Sequence, residues 1–419
     1  MIRSDVLVIG AGLAGLMAAY TSAKQGKKVT LLTWGEGTLT VNSGTIDILG
    51  FDENHKRVNN PLQGIDNLPA DHPYKKIGRQ ALQEGLASFL ELTKQHELTY
   101  IGSMEANQPV VTAIGTKKRT AYAPLPMVLS EQALTKKKIR AVAIKGLKDF
   151  YGDVMIENLK KSFGPDKDYG VIPIDTGLMG GRDITIQDVA RYLDTPQGNA
   201  DFLSQLEDLD QDTLLVLPPI FGSHGHTVYQ TISQEMKATM VETTCLPPSV
   251  PGIRLRYAFR DELRQLGVDI VESSKAVASE IEGIKAVSVI ANSASNQRRY
   301  YADRFILATG GFYSGGIEMR DFEKPIEPIF HLPISFVKGE DQWTNEELFG
   351  SKAQGYAKTG IETNDLLQPV NKEGQVVLDN VYIVGRNLAG FDFCFEHSGN
   401  GIAIASAYKA ASVGMGKEA

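Results

Sequence analysis

The stretch VLVIGAGLAGLMAAY, residues 6–20, decides how the rest of the chain is read. A short apolar strand runs into three glycines spaced G-x-G-x-x-G, and an apolar helix begins among them. Each glycine has its own task in such a turn. Gly10 permits the sharp exit from the strand, Gly12 lets the backbone come close to a pyrophosphate, and Gly15 lets the helix pack tightly on the sheet. Gly12, Leu13, Ala14 and Gly15 open the helix, where free N–H groups and about half a positive charge attract phosphate. A second strand, KVTLLT (28–33), follows and closes a βαβ unit.

One expected element is displaced. An acidic residue about 20 positions on usually accepts hydrogen bonds from the adenosine ribose. Here the corresponding stretch is Leu31-Leu32-Thr33-Trp34-Gly35, and Glu36 comes a few residues late. Either Glu36 reaches back, Thr33 substitutes for it, or no adenosine ribose is bound.

Two further glycine stations lie far along the chain. RFILATGG ends an apolar strand on Ala308, Thr309, Gly310 and Gly311, and NVYIVGR ends another on Gly385. After the latter, HSGNGIAIASAYKAA opens a last helix through Gly399, Asn400 and Gly401. This arrangement resembles the two-dinucleotide-binding-domain flavoproteins, in which the last helix points its N-terminus at the N1/O2 edge of the flavin. TVNSGTIDIL (40–49) has the make-up of a flavin-contacting loop, with Ser43, Gly44 and Thr45 as candidate contacts.

The totals agree with an enzyme of this kind. The 419 residues carry a net charge of −7, which argues against nucleic acid as the main partner. The clusters at Lys117–Arg119 and Lys136–Lys138 read as solvated faces. Two cysteines, Cys245 and Cys394, hold no local iron–sulfur cluster and point to a reducing, cytoplasmic setting. No signal peptide is read at the N-terminus, and no apolar run reaches the length of a membrane span.

The expected fold is α/β: a Rossmann-like flavin-binding domain, discontinuous in sequence, with an inserted α/β cap or substrate domain. Its parts are expected at 1–51, 251–311 and 376–419, with the main insertion at 52–250 and a smaller one at 312–375.

The stretches GAGLAGL, NSGTIDIL, DHPY, KKIRAVAIKGLKDF, LPPSVPGIRL, LATGGFYSGG and LAGFD, spread over residues 10–392, resemble the B subunits of the anaerobic glycerol-3-phosphate dehydrogenases. The resemblance implies oxidation of sn-glycerol 3-phosphate to dihydroxyacetone phosphate, with electrons passed toward a quinone. It also implies a larger flavoprotein subunit and an iron–sulfur subunit that anchors the assembly at the inner face of the cell membrane. The glycine loop favours FAD, while the family implies FMN.

Alcohol oxidation at a flavin needs a base, and a phosphate substrate needs a cation. His397, just before Gly399, is the candidate base. Arg254, in the proline-stiffened PPSVPGIRLR, is the candidate phosphate contact. His224, His226 and His331 read as loop histidines, and no metal site is expected. Three other readings are weighed: an electron-relay subunit whose partner does the chemistry, a fumarate-reductase-type flavoprotein, which needs several arginines converging on a dicarboxylate and for which Arg254 with Arg386 is too thin a set, and a flavin-free structural subunit.

Overall fold

The computed structural model describes residues 2–178, 180, 183–294, 296–320, 324–347 and 350–413. The chain divides into two compact units. One comprises residues 1–38, 47–92 and 259–419, the other residues 39–46 and 93–258.

The first unit is built on the opening motif. Strand β1 (Ile2–Ile9) is followed by helix α1 (Leu13–Lys24) and strand β2 (Val29–Leu32). β1 is the central strand, parallel to β2 on one side and to the strand Gln297–Leu307 on the other. Asp269–Val271 extends the sheet beyond β2, and Val381–Ile383 joins Gln297–Leu307, both in parallel. Val6, Leu7, Val8 and Ile9 are all buried, as expected for a strand covered on both faces. The antiparallel strands Lys275–Glu282 and Lys285–Asn292 complete the seven. α1 packs against the last helix, Gly399–Ser412, in which Ala403, Ala405 and Ala407 are buried.

Register fixes where the site must lie. Ile9 stands beside Leu32 and Leu307, and Leu307 beside Ile383, so four parallel strands end together. Each then breaks at once into one of the loops that the sequence marks. Ligands of open α/β sheets sit at this carboxyl edge.

The second unit is built on a four-stranded, fully parallel sheet in the order Thr239–Glu242, Thr213–Leu217, Lys138–Ile144, Asp168–Ile174, with two antiparallel strand pairs beside it in sequence, Tyr100–Gly102 with Tyr122–Pro124 and Gln108–Val111 with Lys117–Thr120. The helix Gly152–Phe163 makes the crossover from Lys138–Ile144 to Asp168–Ile174. Ile139, Val142, Leu159, Leu215 and Phe221 are among its buried core residues.

The division differs from the expected boundaries in four places. Residues 52–92 and 312–375, read as cap, cluster with the first unit, and residues 39–46 and 251–258, read as flavin-binding domain, cluster with the second. The reason is packing that sequence periodicity does not carry. The helix Arg79–Gln95, for example, lays Gly85 against Tyr408 of the last helix. The second lysine cluster is a solvated face only in part, since Lys137 is exposed and Lys138 half-exposed while Lys136 is not. Lys136 is buried with its Nζ donating to the Gln211 carbonyl at 2.6 Å, and Lys138 pairs with Asp210.

Candidate functional site: an FAD cradle at the sheet edge

The three glycines of the opening motif divide into two that pack and one that opens. Gly10 has φ +108°, and a Cβ there would lie 2.3 Å from the Ala308 carbonyl oxygen. A Cβ on Gly15 would lie 1.8 Å from the Gly10 oxygen, so both positions need glycine for contact within the protein. Gly12 is different: a Cβ there would meet nothing within 4 Å. It is the N-cap of α1, no side chain caps the helix, and no acidic residue occupies its first turn. Helix geometry leaves the amides of Leu13, Ala14 and Gly15 without intrahelical acceptors. The space at Gly12 and this uncapped terminus fit a pyrophosphate.

The loop after β2 closes one flank of this cradle. Gly37 has φ +67°, and a Cβ on it would fall 2.8 Å from the Gly12 Cα. Gly37 is not among the residues expected at the site, although the GEG triplet directly after the strand is its signal. Thr33 donates its hydroxyl to the Gly35 carbonyl at 2.5 Å, so it is committed as a donor to its own turn. Glu36 is exposed, one residue before Gly37.

The other stations meet the first through specific contacts. Gly385 has φ +61°, donates its amide to Ser406 Oγ at 3.0 Å, and would place a Cβ 2.9 Å from that of Ala14. Asn387, fully buried and not anticipated from sequence, clamps the middle station. Its Oδ1 accepts the Gly310 amide at 2.7 Å and its Nδ2 donates to Thr309 Oγ1 at 3.0 Å. The Gly310 amide, expected as a cofactor contact, is therefore engaged inside the protein, and Thr309 Oγ1 accepts from the same clamp.

At the start of the last helix, Ser398 is the N-cap residue but does not cap. Its Oγ donates to Glu396 Oε2 at 2.9 Å. Gly399 and Asn400 form the first turn of the helix. The Gly401 amide, expected at the flavin edge, donates instead to the Asp47 carbonyl at 2.9 Å. Gly401 is needed for packing, because a Cβ there would meet the Tyr74 hydroxyl at 2.2 Å.

His397 lies between the two C-terminal helical segments in the left-handed region, with φ 51°. Its ring meets Phe51 edge-on, with centroids 5.0 Å apart, and its Nδ1 side faces Gly50. Behind it runs a buried network. His72 Nδ1 accepts the Tyr74 amide at 3.1 Å, which leaves its proton on Nε2 to donate to Glu396 Oε2 at 3.1 Å. The DHPY motif thus braces the segment that carries His397 and Gly399.

Arg254 does not have the expected role. It is 1% exposed, and its fork is filled: Nε donates to the Gly222 carbonyl at 3.0 Å, and the two terminal nitrogens donate to Glu242 at 2.8 and 3.0 Å. A guanidinium held in this way has no donor face left for a phosphate. Ser43, Gly44 and Thr45 are likewise engaged within the second unit. Thr45 is buried with its hydroxyl against Ser43 and Lys118, the Gly44 amide donates to Asn42, and a Cβ on Gly44 would strike Pro251.

Among the described residues no group of three or more His, Cys, Asp or Glu side chains is placed to hold a metal ion. His224 stacks on Tyr257, and His331 is exposed. His226 is buried rather than in solvent, and burial, with the Arg254 charge beside it, lowers its pKa to about 3.

The family model described as FAD binding domain matches residues 5–402. The B subunit of the anaerobic glycerol-3-phosphate dehydrogenase of Vibrio vulnificus strain YJ016 is 29% identical over 99% of this chain and 97% of its own length. That of Actinobacillus pleuropneumoniae serotype 5b is 30% identical over 96% and 97%. Among solved structures, a 3-ketosteroid Δ1-dehydrogenase from Sterolibacterium denitrificans is similar over 98% of this chain and 99% of that one, at 11% identity and a TM-score of 0.46. The chain belongs to the FAD binding domain family and, within it, to the B subunits of the anaerobic glycerol-3-phosphate dehydrogenases: it is a flavin-dependent oxidoreductase, and its cofactor is FAD.

Proposed function

We propose that this flavoprotein oxidises sn-glycerol 3-phosphate to dihydroxyacetone phosphate. It does so as one member of an assembly with a larger flavoprotein subunit and an iron–sulfur subunit, which pass the electrons to a membrane quinone. The observation that carries the reading is the end-to-end match to relatives named for this reaction. Attachment to a membrane is left to the partners, since no helix among the described residues is long and apolar enough to cross one.

Within the first unit, the amides of Leu13, Ala14 and Gly15 would hold the pyrophosphate and Glu36 would accept from the ribose hydroxyls. The first turn of the last helix, at Gly399 and Asn400, would offer its positive end to the flavin and so favour its reduced, anionic form. Bound FAD supplies a two-electron acceptor for the hydride of the substrate's secondary alcohol. His397 accepts the hydroxyl proton at Nε2, the ring nitrogen remote from Gly50.

Anaerobic addition of glycerol 3-phosphate to the FAD-loaded chain tests this directly. Bleaching of the flavin band is expected. Full retention of the oxidised band, with bleaching restored only by the larger subunit, would favour the second reading, an electron relay, which the relatives' naming as subunits keeps in view.

A further inference from the structure

Arg386 occupies the turn Gly385–Asn387, between the glycine that abuts Ala14 and the asparagine that clamps Gly310. It is half-buried, with its guanidinium 3.8 Å from the centroid of the Phe393 ring. Arg3, Arg140, Arg254, Arg260 and Arg299 each pair with a carboxylate. Among the described residues no carboxylate pairs with Arg386, and the titratable groups that influence it are the Cys394 thiol and the Tyr313 phenol. Burial lowers its pKa below the usual arginine value. A guanidinium withdrawn from water onto an aromatic face, with no counter-charge, is held at a cost that an anion would relieve.

The surroundings suit such an anion. Tyr313, 65% exposed, lies on the turn Phe312–Ser314 directly after the middle glycine station. Its ring meets Phe393 edge-on at 6.4 Å, and its hydroxyl lies 2.6 Å from that of Tyr356. Phe393 in turn packs against Gly399, where a Cβ would be 3.2 Å from its own. Arg386 therefore sits over a ring adjoining the start of the last helix, the end of the cradle assigned to the flavin ring.

We propose that Arg386 is the anchor for the phosphate of an organic phosphate-ester substrate, with the Tyr313 hydroxyl as a second donor. The inference rests on the reading of this site as one that oxidises such an ester. Arg386 takes the role that sequence reasoning gave to Arg254. A fork that grips two phosphate oxygens is the geometry for which arginine is better suited than lysine.

The test uses the full chain loaded with FAD, titrated calorimetrically with inorganic phosphate, with glycerol 3-phosphate and with glycerol. Wild-type protein is expected to bind both phosphates and not glycerol. R386Q should weaken phosphate binding at least tenfold with FAD content per chain unchanged, and R386K should fall between them. Y313F, altered at an exposed hydroxyl, should weaken it severalfold and serves if R386Q does not fold. Wild-type phosphate affinity in R386Q, or in both R386K and Y313F where R386Q does not fold, overturns the proposal, as does failure of the wild-type chain to bind phosphate. Loss of FAD from R386Q, with phosphate affinity retained in reloaded protein, assigns Arg386 to the cofactor's own phosphates and also overturns it. Arg386-dependent phosphate binding without flavin bleaching by glycerol 3-phosphate would leave this site standing and remove the proposed function instead.

Discussion

Glu242 and Arg254, twelve residues apart, form a two-toothed ion pair that excludes water from both side chains. Arg254 also bonds the Gly222 carbonyl, and Glu242 Oε1 accepts the Phe221 amide at 2.9 Å, so the pair ties the loop at Phe221 and Gly222 to the end of strand Thr239–Glu242 and to the helix Val250–Gln265. Removing one partner leaves the other charge stranded. R254M should lose about 3–5 kcal/mol of stability, and R254M/E242M should recover a large part of it. Urea denaturation of the two variants checks this. A fully stable R254M would refute the structural assignment.

Gly12 and Gly15 should respond in opposite ways to the same substitution. Gly12 has φ −72° and open space around it, so G12A should change the stability of the FAD-free protein by less than about 0.5 kcal/mol. The added methyl occupies the pyrophosphate's place, and FAD content should drop sharply. G15A should unfold or severely destabilise the first unit whether or not FAD is present, because its Cβ would overlap the Gly10 carbonyl. Thermal melts with and without added FAD separate the two effects.

His226 is a source of acid sensitivity. Neither ring nitrogen has a hydrogen-bond partner, and its pKa is lowered from 6.5 to about 3. The sign follows from linkage. Above pH 6.5 both folded and unfolded states hold it neutral and it has no effect. Between pH 6.5 and 3 only the unfolded state takes up the proton, so stability falls by about 1.4 kcal/mol per pH unit. H226F should flatten the acid limb of a stability–pH curve. An unchanged slope would mean that the ring is protonated inside the fold.

His72 should act through Glu396 rather than through substrate. H72A removes the donor to a buried carboxylate and should cost about 1–3 kcal/mol, with FAD dissociating faster because the turn before the last helix loosens. The Michaelis constant of reloaded enzyme should stay near wild type. A large change in that constant with normal FAD retention would argue for direct substrate contact.

At His397 the informative replacement is asparagine, which tolerates the left-handed backbone better than other residues. H397N should retain FAD and fold normally, yet slow anaerobic flavin reduction by about 10²-fold or more. Rapid-mixing absorbance would show this. An undiminished rate would remove His397 from the chemistry.

Much of the cradle was legible in the sequence, because its signals are local. The G-x-G-x-x-G spacing between a strand and a helix, and the Val- and Ile-rich runs ending on Ala308 and Gly385, each state their role within about ten residues. What could not be read depends on partners remote in the chain. Glu396 meets His72 across 324 positions, and Asn387 meets Gly310 across 77. The same distance misled the choice of arginine. In sequence Arg254 looks poised by its prolines, and only the fold shows Glu242 already occupying it, while Arg386 gains its interest only once no carboxylate among the described residues is seen to pair with it.

The pairing of Val381–Ile383 with Gln297–Leu307, and of the helix Gly399–Ser412 with α1, has a bearing on biogenesis. β1 and its phosphate loop emerge from the ribosome before the rest of the cradle, and Gly385, Asn387 and Gly399 are translated about 370 or more residues later. A nascent chain therefore carries an exposed, half-built nucleotide cradle over that whole interval. Vitamin-derived cofactor capture must wait until translation has passed that last helix, which makes the apo-protein, rather than the holo-protein, the species that chaperones and proteases meet first.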